Sequence, residues 1–535
     1  MELAVPNGLS AVQKRVRLAL FLAWLALLLV LASRHVFWRD EVRAFSIALA
    51  GDGIGGMLRG LHGEGHPALW YLLLRGVHAL VPVREVLPAV AALVAAGAMA
   101  LLAFRSPFKA GLIALILFGQ FGLFEYAVTA RNYGISMLLL FAIAALYPRW
   151  RDRGVTIGAL LFLLCNTNVP SALLAAAFCL FWLIEITAEE GLRWTRKHSL
   201  FALNAALAAL GALACFLTVF PTVHDAAVVQ HPGGITLRTV ASAILFPAES
   251  FPNLAPDLFA GSAAMSTGLA VILVGSLFGL IRRPAAFLPS ALVLVGFELF
   301  FRLVYPGSYR HQALLLVWLI AAYWLASRGR GGAWPARWRI GERTTAVAAV
   351  GAALFVLLLA LQLPNSLLLL QREVQGVPYS QSRNLGRLLV RERLQDATLM
   401  ADPDVLLEPI PYYASNPIFL LRERKFGKVV RFTRHARTGL TLADLLADAR
   451  TIRARSGRPV VILLHHLLDE TAPHIADEGY LGTFSTTPAS VRDFLASTRK
   501  LATLSPSVSD EIYDVYLLPV DGGAAPGIAG RAPGP

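Results

Sequence analysis

The apolar residues of this chain lie in long blocks separated by short basic clusters, and this pattern restricts its possible folds more than any other feature. A helix needs roughly 20 apolar residues to cross the hydrocarbon core of a bilayer, and fewer if its ends are buried in protein. Apolar residues make up 56% of the 535 residues, charged residues only 15%, and the mean hydropathy is +0.60. The sequence therefore predicts an integral membrane protein with many spans.

Eleven blocks are candidate spans, and the loops between them decide the topology. If the N-terminus is cytoplasmic, every inward loop carries a basic cluster, as the positive-inside rule requires. The excess of 48 Lys and Arg over 34 Asp and Glu then reflects topology, and no nucleic-acid partner is expected. The candidate spans are residues 17–34, 86–104, 110–126, 133–147, 155–169, 171–187, 199–220, 262–281, 285–301, 312–327 and 344–363.

Two segments near the N-terminus allow more than one interpretation. Lys14, Arg15 and Arg17 precede the first block, which is also typical of a cleaved signal peptide; we favour an uncleaved anchor because no small-x-small site precedes a soluble domain. Residues 66–82 could be a twelfth span, but counting them would move the later basic clusters outside. We therefore predict an amphipathic helix on the outer membrane surface there.

The expected fold class is an α-helical polytopic membrane protein with about 11 transmembrane helices and a C-terminal soluble α/β domain. Residues 1–363 form the membrane domain, with a first outer loop over 35–85. Residues 364–520 alternate helical and strand patterns, which predicts a small α/β domain on the outer face. Residues 521–535 are rich in Gly, Pro and Ala and are predicted to be disordered.

The predicted outer loops contain most of the polar residues that could act chemically. Carboxylates on two loops would face a loop rich in guanidinium groups across one membrane face. The residues come from "FWRDEVRAF", "LHGEGHPALWY", "FEYAVTARNYG" and "FRLVYPGSYRHQ", and the candidates are Asp40, Glu41, His66, Glu125, Arg131, Tyr133, Arg310 and His311.

This combination suits transfer from a lipid-linked phosphate donor to a hydroxyl group. The hydroxyl needs a nearby carboxylate base, whose pKa partial desolvation would raise toward a useful value. Arginines stabilise the departing phosphate through bidentate contacts.

Each motif alone also has a simpler interpretation. The charges of residues 39–43, Arg131 with Tyr133, and Arg310 with His311 could each mark a membrane boundary. The HxExH pattern of His62, Glu64 and His66 is a weak metal signal in a Gly-rich loop, and we assign no metal ligand there.

The stretches "FWRDEVRAF", "GEGHPALWYLLLR" and "EYAVTARNYGISMLLLFAIAALY" together resemble the GT-C superfamily of membrane glycosyltransferases that use polyprenyl-phosphate sugars. Protein mannosyltransferases and lipid A aminoarabinose transferases are its best known members. The resemblance covers roughly residues 15–150, with weaker support around Tyr309–His311. The C-terminal domain resembles the outer tails of bacterial members of this superfamily.

The resemblance implies roles for individual residues. Asp40 corresponds to the base that follows the first span, and Glu41 to its paired acid. His66 with Pro67 matches the His-Pro that opens the surface helix. Arg131 and Tyr133 match the Arg-x-Tyr of the second loop, and Glu125 lies six residues before this Arg, whereas many relatives place an acid beside it. Arg310 and His311 are proposed phosphate contacts on chemical grounds.

The sequence thus predicts an inverting glycosyltransferase of the bacterial inner (cytoplasmic) membrane, with a cytoplasmic N-terminus and a periplasmic C-terminal domain. Its partners would be a polyprenyl-phosphate-linked sugar donor, a glycan or lipid acceptor, and membrane lipids. No cofactor is assigned; a divalent metal assisting through Asp40 and Glu41 stays open.

Alternative functions are another envelope transferase or ligase with a lipid-linked donor, or a transporter. A phosphoethanolamine transferase is disfavoured because His435, His465 and His466 lack carboxylates at metal-cluster spacing. Transport would favour ionisable residues near the bilayer midplane, whereas here the acids gather near the span ends.

Overall fold

The computed structural model describes residues 3, 10–220, 236–246, 249–254, 263–328, 341–431, 433 and 435–520. The predicted disordered tail, 521–535, and most of the predicted outer loop 221–261 lie outside the described residues. The chain forms two compact units. The first comprises Met1–His35 and Ile47–Gly376, and the second comprises Val36–Ser46 and Val377–Pro535.

The first unit is helical throughout its described elements. A π-helix, Phe121–Val128, follows α6. In chain order, including α2, whose first turns belong to the second unit, the helices are α1 (Ala11–Arg34), α2 (Arg39–Leu49), α3 (Gly53–Arg59), α4 (Leu69–Leu80), α5 (Val86–Arg105), α6 (Ala110–Phe118), α7 (Tyr133–Trp150), α8 (Thr156–Cys165), α9 (Val169–Glu190), α10 (Arg196–Val219), α11 (Leu237–Leu245), α12 (Ala263–Leu277), α13 (Pro284–Leu303), α14 (Tyr309–Arg328), α15 (Gly341–Ala360) and α16 (Leu363–Val374).

Among the described residues, seven helices are long and apolar enough to cross a membrane, or eight if α6 and the π-helix, bent by 45°, form one broken span. Each coincides with a predicted block, so by length and composition the chain is a multi-pass membrane protein. The seven are α1, α5, α7, α9, α10, α13 and the run Thr344–Val374 through α15 and α16.

The other three predicted spans, 155–169, 262–281 and 312–327, are helices outside this group. Helix α8 has 10 residues and is about 15 Å long, half of a hydrocarbon core of about 30 Å. The apolar helix Ala264–Leu280 is also too short. Helix α14 has 20 residues, but its first turn is polar, and every residue from Gln312 to Leu325 is buried in protein. By length and composition the described helices provide seven or eight candidate spans, and the count of eleven stays a prediction.

The block 66–82 and the basic stretch before the first span both belong to helices of the first unit. The ambiguous block 66–82 forms α4, a helix of 12 residues with buried Trp70, Tyr71 and Leu74, which is too short to span. Arg17, in the basic stretch of α1, is 1% exposed and donates hydrogen bonds to the carbonyl oxygens of Ala103 and Ser106 at the end of α5. Helix α1 is thus packed into the first unit, and Arg17 satisfies carbonyl groups that a helix end leaves without partners.

The second unit is an α/β domain, as the composition change after residue 363 predicts. Its main sheet has the order β1 (Thr398–Asp402), β5 (Val460–Leu464), β9 (Tyr513–Leu518) and β8 (Arg499–Leu504), with β1 and β5 parallel and the other pairs antiparallel. Helix α17 is Ser382–Arg391, α18 is Leu442–Ser456 and α19 is Pro488–Ser497. The strands are β1 (Thr398–Asp402), β2 (Phe419–Leu420), β3 (Lys425–Phe426), β4 (Gly439–Thr441), β5 (Val460–Leu464), β6 (His474–Asp477), β7 (Thr483–Thr486), β8 (Arg499–Leu504) and β9 (Tyr513–Leu518).

Alternating residues of the main sheet supply two separate cores. Val461 and Leu463 of β5 pack with Leu385 of α17 on one face, whereas Ile462 packs with Leu445 of α18 on the other. Both β1 and β5 are buried along their whole length. Burial on both faces explains why their sequences are continuous apolar runs without polar alternation.

The segment Val36–Ser46 is built into the second unit although more than 300 residues of sequence separate it from the domain's other strands and helices. The Phe37 N–H donates to the Tyr413 hydroxyl at 2.8 Å, and Ser382 Oγ donates to the Phe37 carbonyl oxygen at 2.9 Å. The Phe37 ring lies 4.7 Å from that of Tyr412. The predicted boundary at residue 364 therefore leaves out a segment that this domain contains.

Candidate functional site

Within the first unit, predicted site residues from three distant loops meet in one hydrogen-bonded cluster. Tyr133, at the start of α7, is fully buried, and its hydroxyl lies 2.8 Å from His311 Nε2 and 3.3 Å from His66 Nε2. Arg131 Nη2 lies 3.2 Å from the same His66 nitrogen. Two histidines that lie 67 and 178 positions from Tyr133 thus converge on this single buried tyrosine.

The partners of the two histidine Nδ1 atoms indicate which group donates and which accepts in these hydrogen bonds. The Ser308 N–H donates to His311 Nδ1 at 3.2 Å, so neutral His311 carries its proton on Nε2 and donates it to the Tyr133 oxygen. His66 Nδ1 lies 3.1 Å from the Glu64 carbonyl oxygen, an acceptor, so His66 Nε2 accepts from Tyr133 and Arg131. The tautomers inferred from this network make a continuous donor chain from His311 through Tyr133 to His66.

The remaining pair of predicted residues lies beside this cluster. Arg310 Nε is 3.8 Å from Glu125 Oε1 and donates to Ser308 Oγ at 3.1 Å. The Tyr126 hydroxyl donates to the Arg310 carbonyl oxygen at 2.6 Å. The side chains of Glu125 and Arg310 are 14% and 16% exposed, so this edge of the cluster is more open than Tyr133.

Local backbone geometry brings the two tyrosines together. Tyr126 lies on the π-helix, a rare conformation that is frequent at functional sites. Its ring stacks on Tyr133 with centroids 5.7 Å apart and planes at 14°. A Cβ atom at Gly134 would lie 2.8 Å from the Tyr126 carbonyl oxygen, so only glycine permits this approach of α7.

The two predicted acids belong to the second unit. Asp40 and Glu41 lie in the first turn of α2. Glu41 is fully buried, and its Oε2 accepts the Trp38 N–H at 3.1 Å, which satisfies a backbone donor at the start of the helix. Asp40 is half-buried.

Arg39 and Arg43, next to these acids, form ion pairs within the second unit. From the sequence alone their charges are interpreted as the end of a membrane helix. Arg39 makes a bidentate contact with Asp510 at 2.8 and 2.7 Å, and its N–H donates to Glu511 at 2.6 Å. Arg43 pairs with Glu408, and both side chains are nearly buried. Burial raises the pKa of Glu511 to about 8 against the opposing effects of Ser380 and Arg39.

A second polar cluster lies inside the α/β domain, and the sequence did not predict it. His466 Nε2 is 2.8 Å from Glu478 Oε1 and 3.3 Å from Asp402 Oδ2. Arg422 Nη2 donates to Asp402 Oδ1 at 3.1 Å and to Glu478 Oε2 at 2.7 Å. Burial lowers the pKa of His466, but the two carboxylates outweigh burial and raise it to about 9. Burial raises the pKa of Asp402.

The sequence does not reveal this cluster, because its two carboxylates are distant from His466 or lie on another element along the chain. Asp402 is 64 positions earlier and reaches His466 because β1 and β5 are parallel neighbours, with Asp402 paired to Leu464. A usable signal existed, since Asp402 and His466 each follow an apolar run that ends a strand. Carboxyl ends of parallel strands share one edge of a sheet, where ligands often bind.

No protein-family profile, curated protein or solved structure matches this chain. All six predicted substrate-binding residues fall into the cluster of the first unit, and Asp40 and Glu41 fall into the second. Their placement is an observation about geometry, and their roles stay predictions.

Proposed function

We propose that this chain is an inverting glycosyltransferase that moves a sugar from a polyprenyl-phosphate carrier to a hydroxyl group of a cell-envelope lipid or glycan. The observation that carries the proposal is the cluster around Tyr133, which joins His66, Arg131 and His311 by hydrogen bonds. Arg131 and His311 are the phosphate contacts that the sequence predicts, and His66 and Tyr133 match motifs of the superfamily that the sequence resembles. Tyr133 is the first residue of α7, and His311 lies in the first turn of α14.

The cluster has the chemistry that a phosphate leaving group needs. The guanidinium groups of Arg131 and Arg310 offer planar sets of donors to phosphate oxygens and are always charged. Neutral His311 and the Tyr133 hydroxyl hold their positions through directed hydrogen bonds, so they need little reorganisation when charge develops. Arg310 is the more exposed of the two arginines and is the proposed first contact of the donor.

On the sequence resemblance alone, Asp40 is the proposed base. Its carboxylate takes the proton of the acceptor hydroxyl as that oxygen bonds to the anomeric carbon, while the bond from this carbon to the phosphate oxygen breaks. The electron pair leaves with the polyprenyl phosphate, and displacement from the opposite side inverts the configuration. Glu41 is proposed to position Asp40, because it is buried and bound to the helix start.

The proposed location is the bacterial cytoplasmic membrane, with the N-terminus in the cytoplasm and the α/β domain in the periplasm. The proposal requires that the short helix α8 and helix α9 each cross the membrane, because only then do the basic clusters at 149–153 and 193–197 both face the cytoplasm. Single-cysteine variants at residues 192 and 467, both exposed leucines, test this with a membrane-impermeant thiol reagent. Labelling from the periplasm only at 467 is expected, and labelling at 192 alone would reverse the topology.

The test of function uses Asp40→Asn, with the exposed Asp52→Asn as a matched control. Purified protein is assayed with a panel of polyprenyl-phosphate sugars and membrane extracts as acceptors. A general base contributes about 10²- to 10⁴-fold to the rate, so we expect a loss of that size for Asp40→Asn and none for the control.

A second variant separates the donor site from the base. Arg310→Gln should lower kcat by about 10²-fold or more, the effect of removing one group that stabilises developing charge. The exposed Arg59→Gln is its control. Full transfer activity in Asp40→Asn removes this base from the mechanism, and wild-type protein without transfer from any donor of the panel contradicts the proposal.

A further inference from the structure

We propose that the α/β domain binds one divalent transition-metal ion of the Zn²⁺ class through Asp402, His466 and Glu478. One nitrogen and two carboxylate oxygens of these residues lie within 4.8 Å of one another. They come from three separate parts of the domain: the end of β1, the residues after β5, and the residues after β6. The site is independent of the proposed transferase chemistry.

Arg422 divides the carboxylate oxygens into two sets. Its Nη2 holds Asp402 Oδ1 and Glu478 Oε2, whereas Asp402 Oδ2 and Glu478 Oε1 are the oxygens near His466 Nε2. The guanidinium therefore lies behind the ligand atoms and orients both carboxylates from the outer side. Such outer partners are typical of metal sites, where they fix the direction of the ligands.

Arg422 is itself held in place from the backbone. Asp404 accepts the N–H groups of Leu421 and Arg422 at 2.8 and 2.9 Å. The Arg422 side chain is 2% exposed. The orienting group is thus rigid, which a preformed site requires.

Asp402 provides a second, independent indication of a ligand. Its side chain is completely buried, and Oδ2 has no hydrogen-bond partner among the described residues. A buried polar group without a hydrogen bond costs about 1–3 kcal/mol or more, and the ion-pair contact with His466 Nε2 compensates part of that cost. This oxygen faces His466 Nε2 at 3.3 Å, so a cation placed between the three donor atoms would satisfy it.

The charge balance agrees with a cation there. Two carboxylates and one guanidinium leave one net negative charge when His466 is neutral. With His466 protonated the cluster is neutral, and a bound divalent ion would take the place of the proton on Nε2 and leave a net charge of +1. The His466 ring is already oriented, because it stacks on Phe484 with centroids 5.0 Å apart and planes at 17°.

The donor set and the spacing favour the Zn²⁺ class over Mg²⁺ or Ca²⁺. Imidazole with carboxylates suits Zn²⁺ and its neighbours, whereas Mg²⁺ and Ca²⁺ prefer oxygen ligands throughout. Tetrahedral Zn²⁺ with bonds of about 2.1 Å separates its ligand atoms by about 3.4 Å. The observed 2.8 and 3.3 Å to His466 Nε2 would have to lengthen by about 0.6 and 0.1 Å to match this geometry. The His466 and Glu478 side chains are 10% and 8% exposed, so a fourth position can be reached by water.

The experiment uses the full chain in detergent, stripped with EDTA and then dialysed against Zn²⁺ or Co²⁺. We expect one Zn²⁺ per chain by elemental analysis, a Co²⁺ spectrum with visible d–d bands of tetrahedral intensity, and one imidazole in the X-ray absorption spectrum of the Zn²⁺ form. Mg²⁺ at the same concentration should not compete.

The variants His466→Gln and Asp402→Asn should each weaken Zn²⁺ binding at least 100-fold. His465→Gln is the matched control, since this histidine is adjacent and exposed. Circular dichroism in EDTA shows whether the variants keep their fold, and the wild-type spectra decide the question if they do not.

Two results would overturn the proposal. Wild-type protein that binds less than a tenth of an equivalent of Zn²⁺ would show that the cluster is an ion-pair network only. Equal binding by His466→Gln and wild type would place the ion elsewhere. Neither result depends on transferase activity, so failure of this proposal and failure of the proposed function are distinguishable.

Discussion

Replacing Arg43 by Met should destabilise the second unit strongly, because it removes the guanidinium that faces Glu408. The two side chains are only 8% and 2% exposed, and Glu408 also accepts the Val430 N–H at 2.8 Å. Breaking a buried ion pair at one side costs about 3–5 kcal/mol, since the other charge stays in a medium of low polarity. For a domain of 150–250 residues this corresponds to a fall of roughly 6–20 °C in the melting temperature.

A double-mutant cycle with Glu408→Gln measures the coupling. Thermal unfolding of the full chain in detergent is followed by intrinsic fluorescence for wild type, both single variants and the double variant. The coupling energy should be about 1.5 kcal/mol or more. The control is the same cycle with Arg450→Met and Asp493→Asn, a bidentate pair that is 43% and 55% exposed. Exposed pairs contribute about 0.2–1 kcal/mol, so equal coupling in the two cycles would refute the argument from burial.

Three further outcomes follow from contacts described above. Tyr133→Phe should lower the melting temperature by the equivalent of about 1–3 kcal/mol and reduce transfer, since two half-buried imidazoles each lose a hydrogen-bond partner at the buried Tyr133 hydroxyl, while Tyr305→Phe at an exposed position should do neither. The pKa of Glu511 in the folded protein is about 8, against an ordinary 4.5. Its contribution to stability is therefore full below pH 4.5 and is lost as the pH rises toward 8. The free energy of unfolding measured between pH 5 and 8 should fall in this way, and Glu511→Gln should flatten the slope. Gly134→Ala should cost about 1–3 kcal/mol in a stability assay, because its Cβ would lie 2.8 Å from a backbone oxygen. Gly76→Ala, inside α4, meets nothing within 4 Å and should stabilise by up to about 1 kcal/mol in the same assay.

The helices were the part of the fold that local sequence could predict. Each long apolar block became a helix, because a helix satisfies its own backbone hydrogen bonds and needs no distant partner. What local sequence could not predict is which helices reach full span length or contact only protein. Helix α14 is apolar like the spans, but its burial from Gln312 to Leu325 comes from neighbours on every side.

The sequence predicts that two apolar segments of the α/β domain are strands, but it does not predict which strands pair with each other. The runs ending in Asp402 and Leu464 read as strands from their apolar residues alone. Their parallel register, which brings Asp402 to His466, depends on the path of the intervening chain. The same limit applied to Arg39 and Arg43, whose charges suggested a membrane boundary and whose partners lie more than 360 positions away.

The sequence by itself determined the membrane character of the chain, the change to an α/β domain, and the residue types suited to phosphate chemistry, because these depend on composition and short-range periodicity. Only the tertiary structure decided that Val36–Ser46 belongs to the α/β domain, that His66 and His311 share the Tyr133 hydroxyl, and that Asp402 reaches His466. The physical reason is that hydrogen bonds and ion pairs act over about 3 Å, whereas the residues that make them here are separated by tens to hundreds of positions.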